Sequence, residues 1–482
     1  MGFTTQIFAL FFMPLFFIVY MIVNFSEKKG GFGENIKRFR IKDWTLIIFS
    51  ILFYCFAGII GFIQIFFLIT VLYIFARLIS SRQEKGENAR GIFVTGLICL
   101  VLNLVYFKYT GFILSNISGI FMEDSIVYSV IGPLGISFIT FSAISYLTDV
   151  YRQDAKAGSF TDCMLFMTFF PKVVSGPIVL WKNFEDQIQK RTVTVDKTTE
   201  GINRIVVGFA KKVILADIFG LTLNKMTVGE MDQITALFSI IVYMMQIYYD
   251  FSGYSDIAIG LSKILGFEFD ENFNFPYRSK SVSEFWRRWH ISLGMWFRQY
   301  IYFPLGGNRK GKGRTLFNLG VVFALTGIWH GAGWNYIIWG AINGMFVIVE
   351  HVIMKKDFYK KIPDWIKYVF TMVVVMGFWQ LFRFQYVEEA VSVITAALGI
   401  TKASFIPYTW KYFVDNRILV FTLIGIVGAT LFGSEKVMEK YKAFTSTKAG
   451  YILQEAGVII LFLISVMYMV SSTYSPFIYF QY

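Results

Sequence analysis

Histidine, cysteine and proline are all scarce in this 482-residue sequence, at three, three and nine. Cys55, Cys99 and Cys163 stand singly in apolar surroundings with no C-x-x-C spacing. That argues against a disulfide framework or a zinc site and leaves them as small core hydrophobes. Charge is scarce too: 16% of residues are Asp, Glu, Lys or Arg, against 56% hydrophobic and 19% aromatic. A mean hydropathy of +0.56 lies outside the range of a soluble domain of this length. No G-x-S-x-G, H-E-x-x-H or P-loop occurs, so serine hydrolase, zinc protease and NTPase chemistry have no support. With no internal repeat and no low-complexity linker, residues 1–482 read as one integral-membrane domain. Its segments are N-terminal helices at 1–158, a core at 159–360 and C-terminal helices at 361–482.

What is abundant is long apolar runs. A helix that crosses a bilayer needs roughly 20 apolar residues, because an unpaired backbone amide in hydrocarbon costs several kcal/mol. Such runs predict spans near 3–24, 44–57, 60–80, 91–112, 126–150, 204–224, 232–249, 315–332, 334–354, 363–383, 417–433 and 450–472. The expected fold is all-α, a polytopic integral membrane protein of roughly 10–12 transmembrane helices with broken or re-entrant and amphipathic helices between them.

Basic residues outnumber acidic ones by 45 to 32, for a formal net charge of +13. They alternate between loops as the positive-inside rule requires, so no nucleic-acid partner is expected. Lys28, Lys29, Lys37, Arg38, Arg40 and Lys42 follow the first run, and Arg77, Arg82, Lys85 and Arg90 the third. Both loops should be cytoplasmic. "SNISGIFMEDS", Ser115 to Ser125, has acids but no Lys or Arg and should face outside. The alternation then puts Arg152 and Lys156, Arg278 to Arg314, Lys355 to Lys361 and Lys436 to Lys448 inside, and both termini outside. The uncharged tail "YSPFIYFQY" agrees. The first run has no basic start and is expected to be a retained helix, not a secretory signal.

Three segments break the pattern. "SFTDCMLFMTFFPKVVSGPIVLWKNFEDQ", Ser159 to Gln187, is too apolar for an exposed loop yet contains Pro171 and Gly176-Pro177. Proline removes a helix donor and clashes with the preceding turn. The segment is therefore either a broken or re-entrant element buried in protein or a surface-lying helix pair joined at a proline turn. "YYDFSGYSDIAIGLSKILGF" sets Asp250, Ser252, Ser255 and Asp256 at the inner side of a span, where they cap the short helix that follows or line a polar cavity. "SVSEFWRRWHISLGMWFRQYIYFPLGGNRKGKGR" opens with Ser281 and Glu284 at capping-box spacing, which predicts a helix starting there. On such a helix Phe285, Trp289, Leu293, Trp296 and Tyr300 share one face within about 80°, Arg287 and Arg298 lie on another, and His290 falls between them. From Arg278 to Arg314 there are nine basic residues and one acid, Glu284. That density either attracts anionic lipid or holds the phosphates of a cytoplasmic carrier.

His330 ends the apolar part of "FALTGIWHGAGWN". Gly320, Ala324, Gly327 and Gly331 form a stripe on its helix along which a neighbour can approach closely. His330 projects about 80° from that stripe, one turn after Thr326. An intramembrane histidine points to function, the alternative being a hydrogen-bonded bridge between helices. With an ordinary pKa near ~6.5, imidazole can take a proton from an attacking hydroxyl and return it to a leaving group. His290 lies beside the cationic stretch, and His351, at the inner end of a span, is expected to be interfacial. A buried histidine above a basic inner mouth suits group transfer. A transporter or polymer-lipid flippase would share the spans and buried polar groups but often shows an internal repeat, and a scaffold would leave both histidines without a purpose.

The sequence resembles the membrane-bound O-acyltransferase superfamily, in particular the bacterial branch that acetylates alginate and peptidoglycan. The matching blocks are "IGPLGISFITFSAISYLTDVYR", "FFPKVVSGPIVLWKNFEDQ", "DFSGYSDIAIGLSKILGFEFDENFNFPYRSKSVSEFWRRWHISLGMWFRQYIYFPLGGNR", "LTGIWHGAGWNYIIWG" and "SPFIYFQY". The resemblance implies that His330 is the superfamily's membrane histidine and His290 the second histidine of this branch, both catalytic. It implies a fold whose cytoplasmic and outer cavities meet near His330. The implied donor is a cytoplasmic acyl thioester, with acetyl-coenzyme A expected. The acceptor hydroxyl would lie outside a bacterial plasma membrane, on an extracellular polysaccharide or on a secreted or membrane-anchored SGNH-hydrolase-like acyltransferase partner. No bound cofactor and no metal is expected. Arg287, Arg288, Arg298, Trp289, Asp250, Ser252, Thr326 and Asn335 are the expected donor and tunnel residues. D-alanyl transfer to teichoic acid, whose enzymes share the histidine motifs, and transport of polymer precursors are the alternatives.

Overall fold

The computed structural model describes residues 2–28, 40–121, 130, 132–401, 403 and 405–471. Among them every regular element is helical, and the extended pairing is an isolated antiparallel bridge between Phe273 and Trp289. The loop from Lys28 to Lys42, the turn from Ser115 to Ser125 and the C-terminal tail, on which the sidedness expectation leans, lie wholly or partly outside the described residues.

Eight of the described helices are long and apolar enough to cross a bilayer: Phe8–Ser26, Ile59–Glu84, Arg90–Ile120, Gln233–Ile264, Trp334–Ile353, Asp364–Arg383, Asn416–Gly433 and Lys448–Ser471. The four other expected spans are helical but shorter or more polar. Ile41–Cys55 has 15 residues, which at ~1.5 Å per residue reaches ~22 Å against a hydrocarbon core of ~30 Å. Ile136–Arg152 has 17. The run through Val195–Ala210, Lys211–Ala216 and Asp217–Leu223 contains buried Lys212 and Asp217. Lys312–His330 carries Lys312 and Arg314 in its first turn. Burial separates lipid-facing helices from interior ones. Protein covers only 11% of the apolar stretches of Arg90–Ile120 and Lys448–Ser471, but 72% of that of Gln233–Ile264. The first two present Ile, Leu and Phe outward, where hydrocarbon satisfies them.

The chain gathers into two compact units, Met1–Ile202 with Ala258–Asp270 and Asn203–Ile257 with Glu271–Tyr482. In the first, the segment from Ser159 to Gln187 is broken where its prolines require. It runs as Phe160–Thr168, the turn Phe170–Val173, an irregular stretch and Trp181–Lys190. Ser159 and Asp162 cap the first piece reciprocally. A Cβ on Gly176 would stand 2.7 Å from the backbone of Pro171 and Lys172, closer than any side chain allows. The Phe170 ring lies 5.2–5.8 Å from those of Phe12, Phe16 and Phe53. The segment is therefore a buried, broken element and not a surface-lying pair.

In the second unit, Lys312–His330 and Trp334–Ile353 form an antiparallel pair turned at Gly331–Gly333. A Cβ on Gly327 would come 2.6 Å from the Tyr336 carbonyl oxygen, and one on Gly340 2.7 Å from that of Phe323. The two helices thus meet backbone to backbone along the predicted glycine stripe, which fixes where His330 emerges at the end of the first.

Candidate active site

The helix expected from Ser281 through Tyr300 begins on cue but is not one helix. The Ser281 hydroxyl accepts the Glu284 N–H at 3.0 Å, while the Glu284 carboxylate accepts the Lys280 N–H at 2.9 Å. Val282–Arg288 then ends at Trp289, and His290 takes φ 47° and ψ 54° before Ile291–Phe297 and the wider turn Arg298–Tyr302 begin. A left-handed residue rotates everything beyond it, so the single face drawn from Phe285 to Tyr300 does not exist. Such a conformation costs a non-glycine residue about 1–2 kcal/mol. Backbone pairing offsets it: the Asn274 N–H donates to the Arg288 carbonyl and the Ile291 N–H to the Asn272 carbonyl, both at 2.9 Å.

That break aims His290 into the unit's aromatic interior, 2% exposed. Its Nδ1 lies 3.1 Å from Asn272 Oδ1. The Phe251 ring meets it edge-on at 4.7 Å, and the Trp329 ring is 6.2 Å away. His330, also buried, packs against Trp329 at 4.7 Å and against Trp339 and Phe382 at 5.0 Å each. Trp329 thus adjoins both imidazoles, which are no farther apart than the sum of its two separations. The structure brings together two histidines that lie forty positions apart in the chain. Burial pushes the His290 pKa down to about 3, so this ring is neutral near pH 7 and able to accept a hydrogen bond.

The other expected residues divide. Trp289 packs on Trp379 at 4.6 Å and Phe273 at 5.0 Å, in the aromatic wall beside His290. Thr326 returns its hydroxyl to the Val322 carbonyl at 2.7 Å. The Asn335 amide donates to the carbonyls of Phe384 at 2.9 Å and Leu381 at 3.4 Å, joining two helices. Asp250 and Ser252 stand inside the continuous helix Gln233–Ile264, not beyond the end of a span. Asp250 pairs with Lys212 at 2.9 Å, and Lys212 also pairs with Asp217. Ser255 accepts from Asn272, and Asp256 pairs with Arg204 and Lys211. None of these four caps a helix. The Ser252 hydroxyl is buried with no hydrogen-bond partner among the described residues.

Arg287 and Arg288 end Val282–Arg288, His290 stands at the break and Arg298 lies beyond it, so the four do not share one helix as the one-helix reading required. Arg288 is paired with Glu284 at 2.9 Å and donates to the Asn274 carbonyl at 3.1 Å. Arg287 and Arg298 are exposed, on either side of the break. Among the described residues no cluster of His, Cys, Asp and Glu could hold a metal ion.

Sequence reasoning missed the residues that hold this arrangement. Asn272 and Ser292 clasp the break. The buried Glu350 carboxylate accepts the N–H groups of Val282 and Ser283, each at 2.7 Å. On the same helix, Asn343 accepts the Trp286 indole N–H at 3.0 Å. Glu350 had a signal, an acid within an otherwise apolar span. In the other unit, apart from this arrangement, Lys172, buried with its Nζ 2.9 Å from the Ser142 hydroxyl and 3.9 Å over the Phe166 ring, carried the same signal.

The membrane-bound O-acyltransferase family profile matches residues 2–385. The chain is 32% identical to the probable alginate O-acetylase AlgI of Azotobacter vinelandii over the whole of both chains. It is 30% identical to the peptidoglycan O-acetyltransferase of Helicobacter pylori over 83% of this chain and 80% of that one. With the teichoic acid D-alanyltransferase of Streptococcus thermophilus it shares 30% identity over 47% of this chain and 59% of that one. A multi-pass chain, helical in all the regular elements of its described residues, with two histidines in one buried aromatic site and these relatives, belongs to the membrane-bound O-acyltransferase family, and its activity is acyl transfer.

Proposed function

We propose that this acyltransferase passes a short acyl group, acetyl in the first instance, from a cytoplasmic thioester to a hydroxyl outside a bacterial plasma membrane. The acceptor is an extracellular polysaccharide or a secreted or membrane-anchored partner that relays the group to one. The observation that carries this reading is the meeting of His290 and His330 at Trp329, in a buried aromatic site. In the proposed step a neutral His330 nitrogen takes the proton of the acceptor hydroxyl while its oxygen attacks the thioester carbonyl carbon. The new C–O bond forms as the carbonyl π pair moves to oxygen. The tetrahedral species collapses, the C–S bond breaks, and the imidazolium returns the proton to sulfur, leaving an ester and a thiol.

His290 acts on the donor side. Arg287 and Arg298 are exposed and available to phosphate oxygens, which favours a donor such as acetyl-coenzyme A, whereas the charge of Arg288 is answered by Glu284. The alginate and peptidoglycan relatives support an O-acetyl product over the full chain or most of it. D-alanyl transfer is supported over about half of it. Release of base-labile acids from the surface polymers of a deletion strain and its parent tests the reading. Acetate missing from the deletion strain is expected, D-alanine missing instead would select the second reading, and no missing ester would overturn both.

A further inference from the structure

We infer that Asn272 locks His290 in the tautomer that carries its proton on Nδ1, leaving Nε2 as the acceptor nitrogen of the ring. The amide orientation of Asn272 is decided by its neighbours. A backbone N–H can only donate, and that of Ser292 points at one end of the amide at 3.3 Å, so that end is the oxygen. The Ser292 hydroxyl donates to the same oxygen at 2.9 Å. The other end, the NH2, donates to the Ser255 hydroxyl at 3.0 Å. An acceptor oxygen therefore faces His290 Nδ1 at 3.1 Å. Two lone pairs opposed at that distance in a buried site would be repulsive, whereas an Nδ1–H makes a good hydrogen bond. The Asn272 main chain acts on the same place, since its carbonyl accepts the Ile291 N–H at 2.9 Å. One asparagine, 1% exposed, thus holds residues 290–292 through backbone and side chain together, and sets both the left-handed turn and the tautomer.

The consequence for chemistry rests on the proposed acyl transfer, although the tautomer does not. With Nε2 as acceptor, His290 receives a hydrogen bond from an N–H, O–H or S–H of a substrate and does not donate from Nε2 to the thioester carbonyl. Asn272 is then a positioning residue acting through His290.

With only three histidines in the chain, 15N-histidine labelling of the full-length protein in lipid nanodiscs gives a spectrum assignable by His330→Asn and His351→Asn. The expected wild-type result is a His290 ring protonated at Nδ1 and unprotonated at Nε2. Asn272→Leu should move the proton toward Nε2 and lower kcat about tenfold or more while donor KM changes less than about twofold. Asn272→Asp, which keeps an acceptor oxygen, should retain Nδ1–H and recover part of the rate. A wild-type His290 protonated at Nε2 overturns the inference, as does Nδ1–H retained in Asn272→Leu. If that variant does not fold, the wild-type spectrum decides alone. The expected tautomer with unchanged turnover in Asn272→Leu would uphold the lock and overturn the part given to His290 in the reaction.

Discussion

Replacing Glu350 with glutamine should damage the site without touching either histidine. The Val282 and Ser283 N–H groups are the first of their helix and have no partner within it. Both are met by Glu350 at 2.7 Å in a buried setting. A hydrogen bond to a charged acceptor contributes about 1.5–3 kcal/mol, and a negative charge at a helix N-terminus about 0.3–1 kcal/mol more. Glutamine keeps one oxygen but turns an NH2 toward the second N–H, so two donors face each other and the helix start loses about 2–4 kcal/mol. Alanine, which leaves both N–H groups unmet, should lose about 3–6 kcal/mol. The same helix carries Trp286 and leads through its cap residue Trp289 to His290. A catalytic group displaced by about 1 Å can cost about 100-fold in rate. Purified variants in detergent should show Tm falling in the order wild type, Glu350→Gln, Glu350→Ala, with acyl transfer falling in parallel. A Glu350→Gln protein with wild-type Tm and kcat would refute the claim that this carboxylate anchors the helix.

Gly340→Ala would put a methyl 2.7 Å from the Phe323 carbonyl oxygen, at a cost of about 1–3 kcal/mol. Gly377→Ala, with nothing within 4 Å, should leave the Tm unchanged or raise it, so equal thermal shifts would count against the close backbone crossing. Neutral replacement of Arg287 and Arg298 should raise the donor KM with little change in kcat, and added salt should do the same to the wild type. A donor KM indifferent to both would remove the phosphate-holding role and leave the chemistry intact. Burial lowers the His290 pKa from 6.5 to about 3, so between those values the unfolded chain binds a proton that the folded one refuses. Stability from this source is complete above pH ~6.5 and falls as pH drops toward ~3. A denaturation midpoint measured across that window should flatten in His290→Gln.

The spans were legible because a bilayer imposes length and apolarity residue by residue, and both are local. Gly327 on its stripe and the proline-broken segment were legible for the same reason, since glycine and proline act on the backbone where they stand. The helix break at His290 was not. The period from Phe285 to Tyr300 fits one helix well, and what overrides it is Asn272, eighteen positions earlier, taking hydrogen bonds that a continuous helix would keep. Asp250 and Asp256 were read at a span's end because acids within apolar helices are costly. Their cations, Lys212, Lys211 and Arg204, are more than thirty residues distant in the chain and no local pattern pairs them. His330 stood out in the sequence, but its neighbours Trp339 and Phe382 come from two other helices.

His330 is proposed to perform the proton transfer in acyl transfer. Wild type and His330→Ala, purified in equal amount into nanodiscs and given a labelled acetyl thioester with its acceptor, test it most directly. General acid–base catalysis contributes about 10²–10⁴-fold. Ester formation should therefore fall by about that factor in His330→Ala while the protein remains folded and binds donor with wild-type affinity. Ester formed by His330→Ala at the wild-type rate would rule out that role for His330.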